Sequence, residues 1–244
     1  MNTYKRIVRI IRMLVTCYYD IYGKPERFFE YASLFYDLGS SGLPIVLFVD
    51  PSMVYKFRIF PETVKVVGLP LQELELYQIA MVYTGELPHI RTPTKDTKEF
   101  YALMNSKIEF VKRASTLFTA DKYIWIDFGI CKIFKNTEGC INKLKEINER
   151  TFTKMTIPGC WEFGRPMSVN VINWRFCGGA FVIPITFIDT FLNHSRAVLK
   201  DFCTMPQYKL TWETNIWTVI EMCAEKNNIV WYSSDHNDSM IMNC

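Results

Sequence analysis

The sequence predicts an α/β protein: a mostly parallel sheet in a single domain, with helices on both faces. Three observations predict it. Several short runs are continuously apolar rather than alternating, as strands covered on both faces are. Helix-like segments separate these runs, the order that builds crossover units. Two of the runs end in an aspartate, Asp50 and Asp127, at the strand end where open α/β sheets bind ligands. A chain of 244 residues is long enough to bury the core such a sheet needs.

The elements follow in order. YKRIVRIIRMLVTCYY is interrupted by Arg9 and Arg12 and never approaches the ~20 apolar residues of a membrane span. It reads as a basic lead-in to a first strand, MLVTCYY (13–19), rather than as an interfacial anchor. PERFFEYASLFYDLG (25–39) is a helix with Pro25 at its start and Gly39 at its stop. PIVLFVD (44–50) and TVKVVGL (63–69) are strands flanking a helical turn, PSMVYKF. PHIRTPTKDTK (88–98) is a loop. From about Thr97 to Phe118 a long helix carries a stripe of Phe100, Leu103, Met104, Ile108, Val111 and Phe118, with Lys107 beside it. The strand KYIWI then reaches Asp127. The second half gives a helix over about 139–150, a strand in TFTKMTI, the loop PGCWEFGRP (158–166) and the strand CGGAFVIP (177–184). Helices over about 185–203 and 212–226, the strand NIVWYSS and a polar tail complete the chain.

Composition removes several classes. Hydrophobic residues at 49% and charged residues at 22% exclude a disordered chain. A net charge of +3 is too small to argue for nucleic acid and suits an anionic small ligand. The aromatic content of 15% fits a sugar-stacking surface or simply an aromatic core. Eight scattered cysteines without a CxxC pair or a preceding signal peptide predict a reduced, cytoplasmic compartment.

Asp127-Phe128-Gly129 spells the magnesium-binding tripeptide of protein kinases. The GxGxxG loop, the strand lysine and the HRD loop of a kinase are missing, so the match is a coincidence of three letters. Position is more informative. A carboxylate ending a buried strand points into the crevice, where it can hold a cation that bridges a diphosphate; it equally suits a cap on the next turn. The preceding helix runs antiparallel, so Asn105 and Lys107 stand near the same edge and suit sugar hydroxyls or phosphate.

TADKYIWIDFGI resembles the metal-site segment of glycosyltransferases of the GT-A fold. VTCYYDI, LMNSKIEFV, WIDFGI and WRFCGGAFVIP, in that order, resemble the HtrL/YibB-like family, found in bacteria and large DNA viruses. The resemblance spans roughly residues 13 to 236. It implies a GT-A-like (Rossmann-like) domain, with a nucleotide-sugar-binding half over about 1–130 and an acceptor-binding half over about 131–244. Asp127 resembles the first aspartate of the metal motif, while Gly129 stands where the second would be. His236 resembles the C-terminal histidine ligand, with Asp235 and Asp238 as reserve oxygens. An Asp127/His236 set suits Mn²⁺ better than Mg²⁺.

The same resemblance makes Gly178 and Gly179 the loop beside the transferred sugar; a β-bulge would also explain them. It makes Glu213 the acid facing the acceptor, although an acid in the first turn of a helix is favourable on dipole grounds alone. Trp212 would stack on an acceptor sugar or pack in the core. Thr16, Tyr18, Tyr19 and Asp50 stand where a nucleotide pocket would be.

The expected reaction moves a sugar from a nucleotide diphosphate sugar to a hydroxyl acceptor, a glycan or a protein-linked sugar. Glu213 would take the acceptor proton in an inverting enzyme or position the acceptor in a retaining one. A viral protein of this kind would work in the host cytoplasm. Two alternatives stand beside it: a non-catalytic GT-A-like nucleotide- or sugar-binding protein, with Gly129 the trace of a lost metal site, and a nucleotidyltransferase, for which IYGKPER (21–27) is a faint phosphate loop.

Overall fold

The computed structural model describes residues 12–165, 167–225 and 228–244. The lead-in with Arg9 lies outside the described residues. Seven strands form one sheet: β1 Met13–Tyr18, β2 Ile45–Val49, β3 Val64–Gly68, β4 Lys122–Ile126, β5 Met155–Gly159, β6 Ala180–Pro184 and β7 Ile229–Ser233. Their spatial order is β3-β2-β1-β4-β6-β5-β7. The β1–β2, β1–β4, β2–β3 and β5–β7 pairs are parallel, and β6 is antiparallel to both neighbours. Among the described strands, β6 alone is reversed.

Every residue of β1, β2, β4 and β6 is buried, as their continuous apolar sequences require. The helices are α1 Arg27–Gly39, α2 Glu75–Met81, α3 Lys98–Asn105, α4 Lys107–Leu117, α5 Thr137–Glu149, α6 Ile185–Thr204, α7 Glu213–Ile220 and α8 Ser239–Met242. Alternation along the strands divides the core in two. Val15, Phe48, Trp125 and Phe181 face Leu76, Tyr101, Phe110, Phe191 and Trp217, from α2, α3, α4, α6 and α7. Leu14, Leu47, Ile124 and Ile126 face Phe35, Leu144 and Met240, from α1, α5 and α8. This is the expected α/β class, with the sheet covered on both sides.

Four details depart from the sequence reading. The long helix breaks at Ser106, whose hydroxyl donates to the Ala102 carbonyl at 2.8 Å, a side-chain bond that competes with the helical ladder. Lys107 therefore opens a new helix, and it is buried rather than at the edge of a stripe. The helix expected to continue to 226 leaves α-geometry after Ile220 for a π turn, Glu221–Glu225, where Arg175 grips Glu221 with bonds of 2.6 and 2.7 Å. Strand β6 starts at Ala180, so Gly178 and Gly179 precede it. The tail forms α8, which buries Met240 and Ile241. No described helix is long and apolar enough to cross a membrane.

Candidate active site

Asp127 is the first residue beyond β4. Its N–H donates to the Gly179 carbonyl at 2.8 Å, and Phe128 turns into the core to stack on Phe35, ring centroids 4.4 Å apart. Those two anchors fix the strand-to-turn corner. The Asp127 carboxylate then lines a cleft at the carboxyl end of the parallel strands.

One ammonium group organises the site. Lys107 Nζ lies 2.9 Å from Asp127 Oδ1, 2.7 Å from Glu213 Oε1 and 2.8 Å from the Gly178 carbonyl. An ammonium has three donors, so all are used. Trp125 Nε1 also donates to Asp127 Oδ1, at 2.8 Å. Lys107 and Glu213 are 1% and 0% exposed at the side chain, Asp127 35%. Burial alone would lower the Lys107 pKa, but the Asp127 and Glu213 carboxylates outweigh it and raise it. Burial raises the Glu213 pKa, and Lys107 pulls it only partway back. The strand end therefore holds a fixed, saturated cation between two carboxylates.

Glu213 owes its position to three neighbours. It opens α7, where the helix dipole favours an acid. Asn105 Nδ2 donates to the Tyr101 and Thr211 carbonyls, both at 2.8 Å, tying α3 to the segment that leads into α7. Gly178 lets the carboxylate approach the backbone: a Cβ there would lie 2.0 Å from Glu213 Oε1. Among the described residues neither Glu213 Oε2 nor Trp212 Nε1, both buried, has a hydrogen-bond partner, and both residues line the cleft.

The cleft encloses about 380 Å³, within the usual range for small-molecule sites. Its walls carry Tyr18, Tyr19, Tyr22, Trp174 and Trp212, with Arg27 and Lys95 as further cations. Arg27 sits over the rings of Tyr22 and Tyr31, at 5.3 and 5.6 Å. Lys95 sits over Trp212 at 4.5 Å.

Nine of the expected site residues line this one cleft: Tyr18, Tyr19, Lys107, Asp127, Gly178, Gly179, Trp212, Glu213 and His236. Three expected donor-binding residues stand outside its lining. Thr16 is 1% exposed within β1. Asp50 caps the 3-10 turn after β2, accepting from the Ser52 N–H at 2.9 Å and its hydroxyl at 2.5 Å. Asn105 is the buried tie just described. Tyr19 is partly committed, since its hydroxyl donates to the Leu69 carbonyl at 2.6 Å. Arg27, Lys95, Tyr22 and Trp174 were not among the expected site residues, although Tyr22 and Arg27 lie in the IYGKPER stretch; loops and a helix start bring them to the cleft.

The residues at Asp127 do not fit Mn²⁺. One carboxylate oxygen already receives an ammonium and an indole N–H. Like charges 4 Å apart repel by about 4 kcal/mol per unit charge in a protein-like dielectric, so a divalent ion beside Lys107 is opposed. Gly129 adds no ligand, and a Cβ there would lie 2.6 Å from the Tyr31 ring. His236 lies against a different set of donors. Its ligand nitrogen falls within 4.8 Å of the Cys160 and Cys177 sulfurs.

The sheet, with one reversed strand among the described strands and a cleft at its carboxyl edge, is the mostly parallel α/β arrangement that the sequence predicts. No protein-family model matches the chain, and no curated protein matches it. Among solved structures it is similar to a glycosyltransferase involved in the glycosylation of the major capsid of PBCV-1. Identity is 11%, covering 91% of this chain and 81% of that one, with a TM-score of 0.44. It is also similar to the bifunctional IspDF from Campylobacter jejuni at 10% identity, covering 92% of this chain and 50% of that one, with a TM-score of 0.41. Likenesses this distant carry no functional argument, which falls to the cleft itself.

Proposed function

We propose that this protein transfers a sugar from a nucleotide diphosphate sugar to a hydroxyl acceptor. The observation that carries the reading is Glu213 Oε2, a buried carboxylate oxygen without a partner among the described residues, in the wall of an aromatic, cation-bearing cleft. Its raised pKa suits a proton acceptor. In an inverting transfer the acceptor oxygen attacks the anomeric carbon and its proton passes to Glu213 Oε2. The anomeric C–O bond breaks, and its electron pair leaves with the nucleoside diphosphate. Arg27 and Lys95 are the cations placed to meet the negative charge on the diphosphate, the electrostatic assistance such a departure needs. Tyr18, Tyr19 and Tyr22 offer ring surface to the nucleotide. Trp212 and Trp174, whose centroids are 6.3 Å apart, offer it to the acceptor sugar. Lys107 holds Glu213 and Asp127 in place.

The test has two parts. Thermal unfolding is followed with UDP, GDP, dTDP and CDP, each with and without Mn²⁺. At ~100 times its dissociation constant the correct diphosphate adds about 2.7 kcal/mol, and the shift is expected without metal. Diphosphate release is then followed with the matching sugar donor and a hydroxyl acceptor. No stabilisation by any nucleotide would sink the donor site. Stabilisation only with Mn²⁺ would overturn the metal-free reading of Asp127, and binding without turnover would leave a nucleotide-binding protein.

A further inference from the structure

We propose that Cys160, Cys177 and His236 form a zinc-binding site, distinct from the Lys107 cluster, at the edge of the same cleft. The two sulfurs are 3.5 Å apart. Tetrahedral zinc with Zn–S bonds of ~2.3 Å sets its sulfurs ~3.8 Å apart, whereas a disulfide needs ~2.05 Å. The observed spacing is a few tenths of an ångström from the first and far from the second. An imidazole nitrogen of His236 completes a group whose ligand atoms all lie within 4.8 Å of one another. Two sulfurs and one imidazole are a soft donor set that selects zinc over manganese or magnesium.

The sheet holds these side chains together, although 17 residues separate the cysteines. Cys160 follows β5, and its N–H donates to the Trp174 carbonyl at 2.9 Å. Cys177 precedes β6, and its N–H donates to the Pro158 carbonyl at 2.7 Å. The parallel register pairs Gly159 with Ser233, which brings the residues after β7 alongside Cys160. A Cβ on Gly159 would lie 1.8 Å from the Arg175 carbonyl, so only glycine permits this approach. Asp235 supplies the support that a ligating histidine needs. Its Oδ1 lies 3.5 Å from His236 Nδ1 and also accepts from the His236 backbone N–H at 2.7 Å. Three protein ligands leave the fourth tetrahedral position to water. Zinc binding would release the two thiol protons, since only the thiolates ligate.

The test loads the full-length, reduced protein with Zn²⁺ and measures metal by mass spectrometry after desalting, then repeats with Co²⁺ and records its absorption spectrum. The expected results are one zinc per chain and a near-ultraviolet thiolate-to-cobalt charge-transfer band. In Cys160→Ser, Cys177→Ser and His236→Asn the Co²⁺ affinity should fall more than about tenfold. Cys223→Ser, at an exposed cysteine, and Asp127→Asn should keep it. Retention of no metal, a cobalt spectrum without the charge-transfer band, or equal weakening by Asp127→Asn would overturn the site. So would an intact mass two hydrogens short, from a Cys160–Cys177 disulfide. The wild-type spectrum needs no variant to fold, and Asp127→Asn separates failure here from failure of the donor site.

Discussion

Lys107→Met is the perturbation that most directly tests the organisation of the site. It removes the one cation between Asp127 and Glu213 and leaves Glu213, 0% exposed, without a counter-charge. Removing one partner of a buried ion pair typically costs 3–5 kcal/mol, because a desolvated charge remains. For a chain of this size that is a fall in melting temperature of roughly 6 to 20 °C. The loss should depend on pH with a definite sign. Glu213 titrates near 4.3 when unfolded and higher when folded, and higher still without Lys107. Between those two values the folded chain binds more protons than the unfolded one, so stability falls as pH rises through the window and returns as pH is lowered. The slope reaches about 1.4 kcal/mol per pH unit.

Denaturant unfolding at pH 5, 6, 7 and 8 reads both quantities. The double variant Lys107→Met/Glu213→Leu supplies the internal control. With no buried charge left at 213, it should recover most of the stability, because well-packed apolar replacements of buried pairs are commonly neutral. A coupling of at least about 1 kcal/mol is expected from the double-mutant cycle. If Lys107→Met loses less than about 1 kcal/mol, shows no dependence between pH 5 and 8, and adds simply to Glu213→Leu, then Lys107 does not neutralise Glu213 and the account of the cluster is wrong.

Further outcomes follow from the same contacts. Gly178→Ala places a Cβ 2.0 Å from Glu213 Oε1 and should cost about 1–3 kcal/mol by overpacking; thermal melts should show much of that loss returning in a Glu213→Ala background. Arg175 makes bonds of 2.6 and 2.7 Å to Glu221, with both side chains under 5% exposed. Arg175→Met should therefore lose 3–5 kcal/mol, while Arg175→Met/Glu221→Leu loses much less, as denaturant titration would show. Arg27→Ala should weaken nucleotide diphosphate binding in calorimetry while leaving the melting temperature of the free protein within a few degrees, because among the described residues the Arg27 guanidinium meets aromatic faces and the Tyr31 hydroxyl.

How much of this was legible in the sequence follows from where each signal resides. Strands β2 and β4 were readable because burial on both faces demands an unbroken apolar run, and PIVLFV and KYIWI are such runs. The corner at Asp127 was readable because a carboxylate directly after such a run has nowhere to go but the sheet edge. The break at Ser106 was not, since the apolar stripe continues across it and only the hydroxyl bond to Ala102 interrupts the helix. Thr16 and Asn105 show the limit of reading function from proximity. Both stand near the right edge, yet one is buried within the sheet and the other spends its amide on two backbone carbonyls. Cys160 and Cys177 looked scattered because strand register, not sequence spacing, brings them together.

The glycine after Cys177 links the Lys107 cluster to the proposed zinc site. Gly178 presents its carbonyl to Lys107 and its open α-carbon to Glu213, while Cys177 on its other side faces Cys160 and His236. A zinc ion there would fix the backbone that supplies the third acceptor of the Lys107 ammonium. The ammonium in turn supplies at Asp127 the positive charge that a metal would otherwise supply. Gly129 then no longer reads as a defect in a metal motif, because a side chain at 129 would run into the Tyr31 ring.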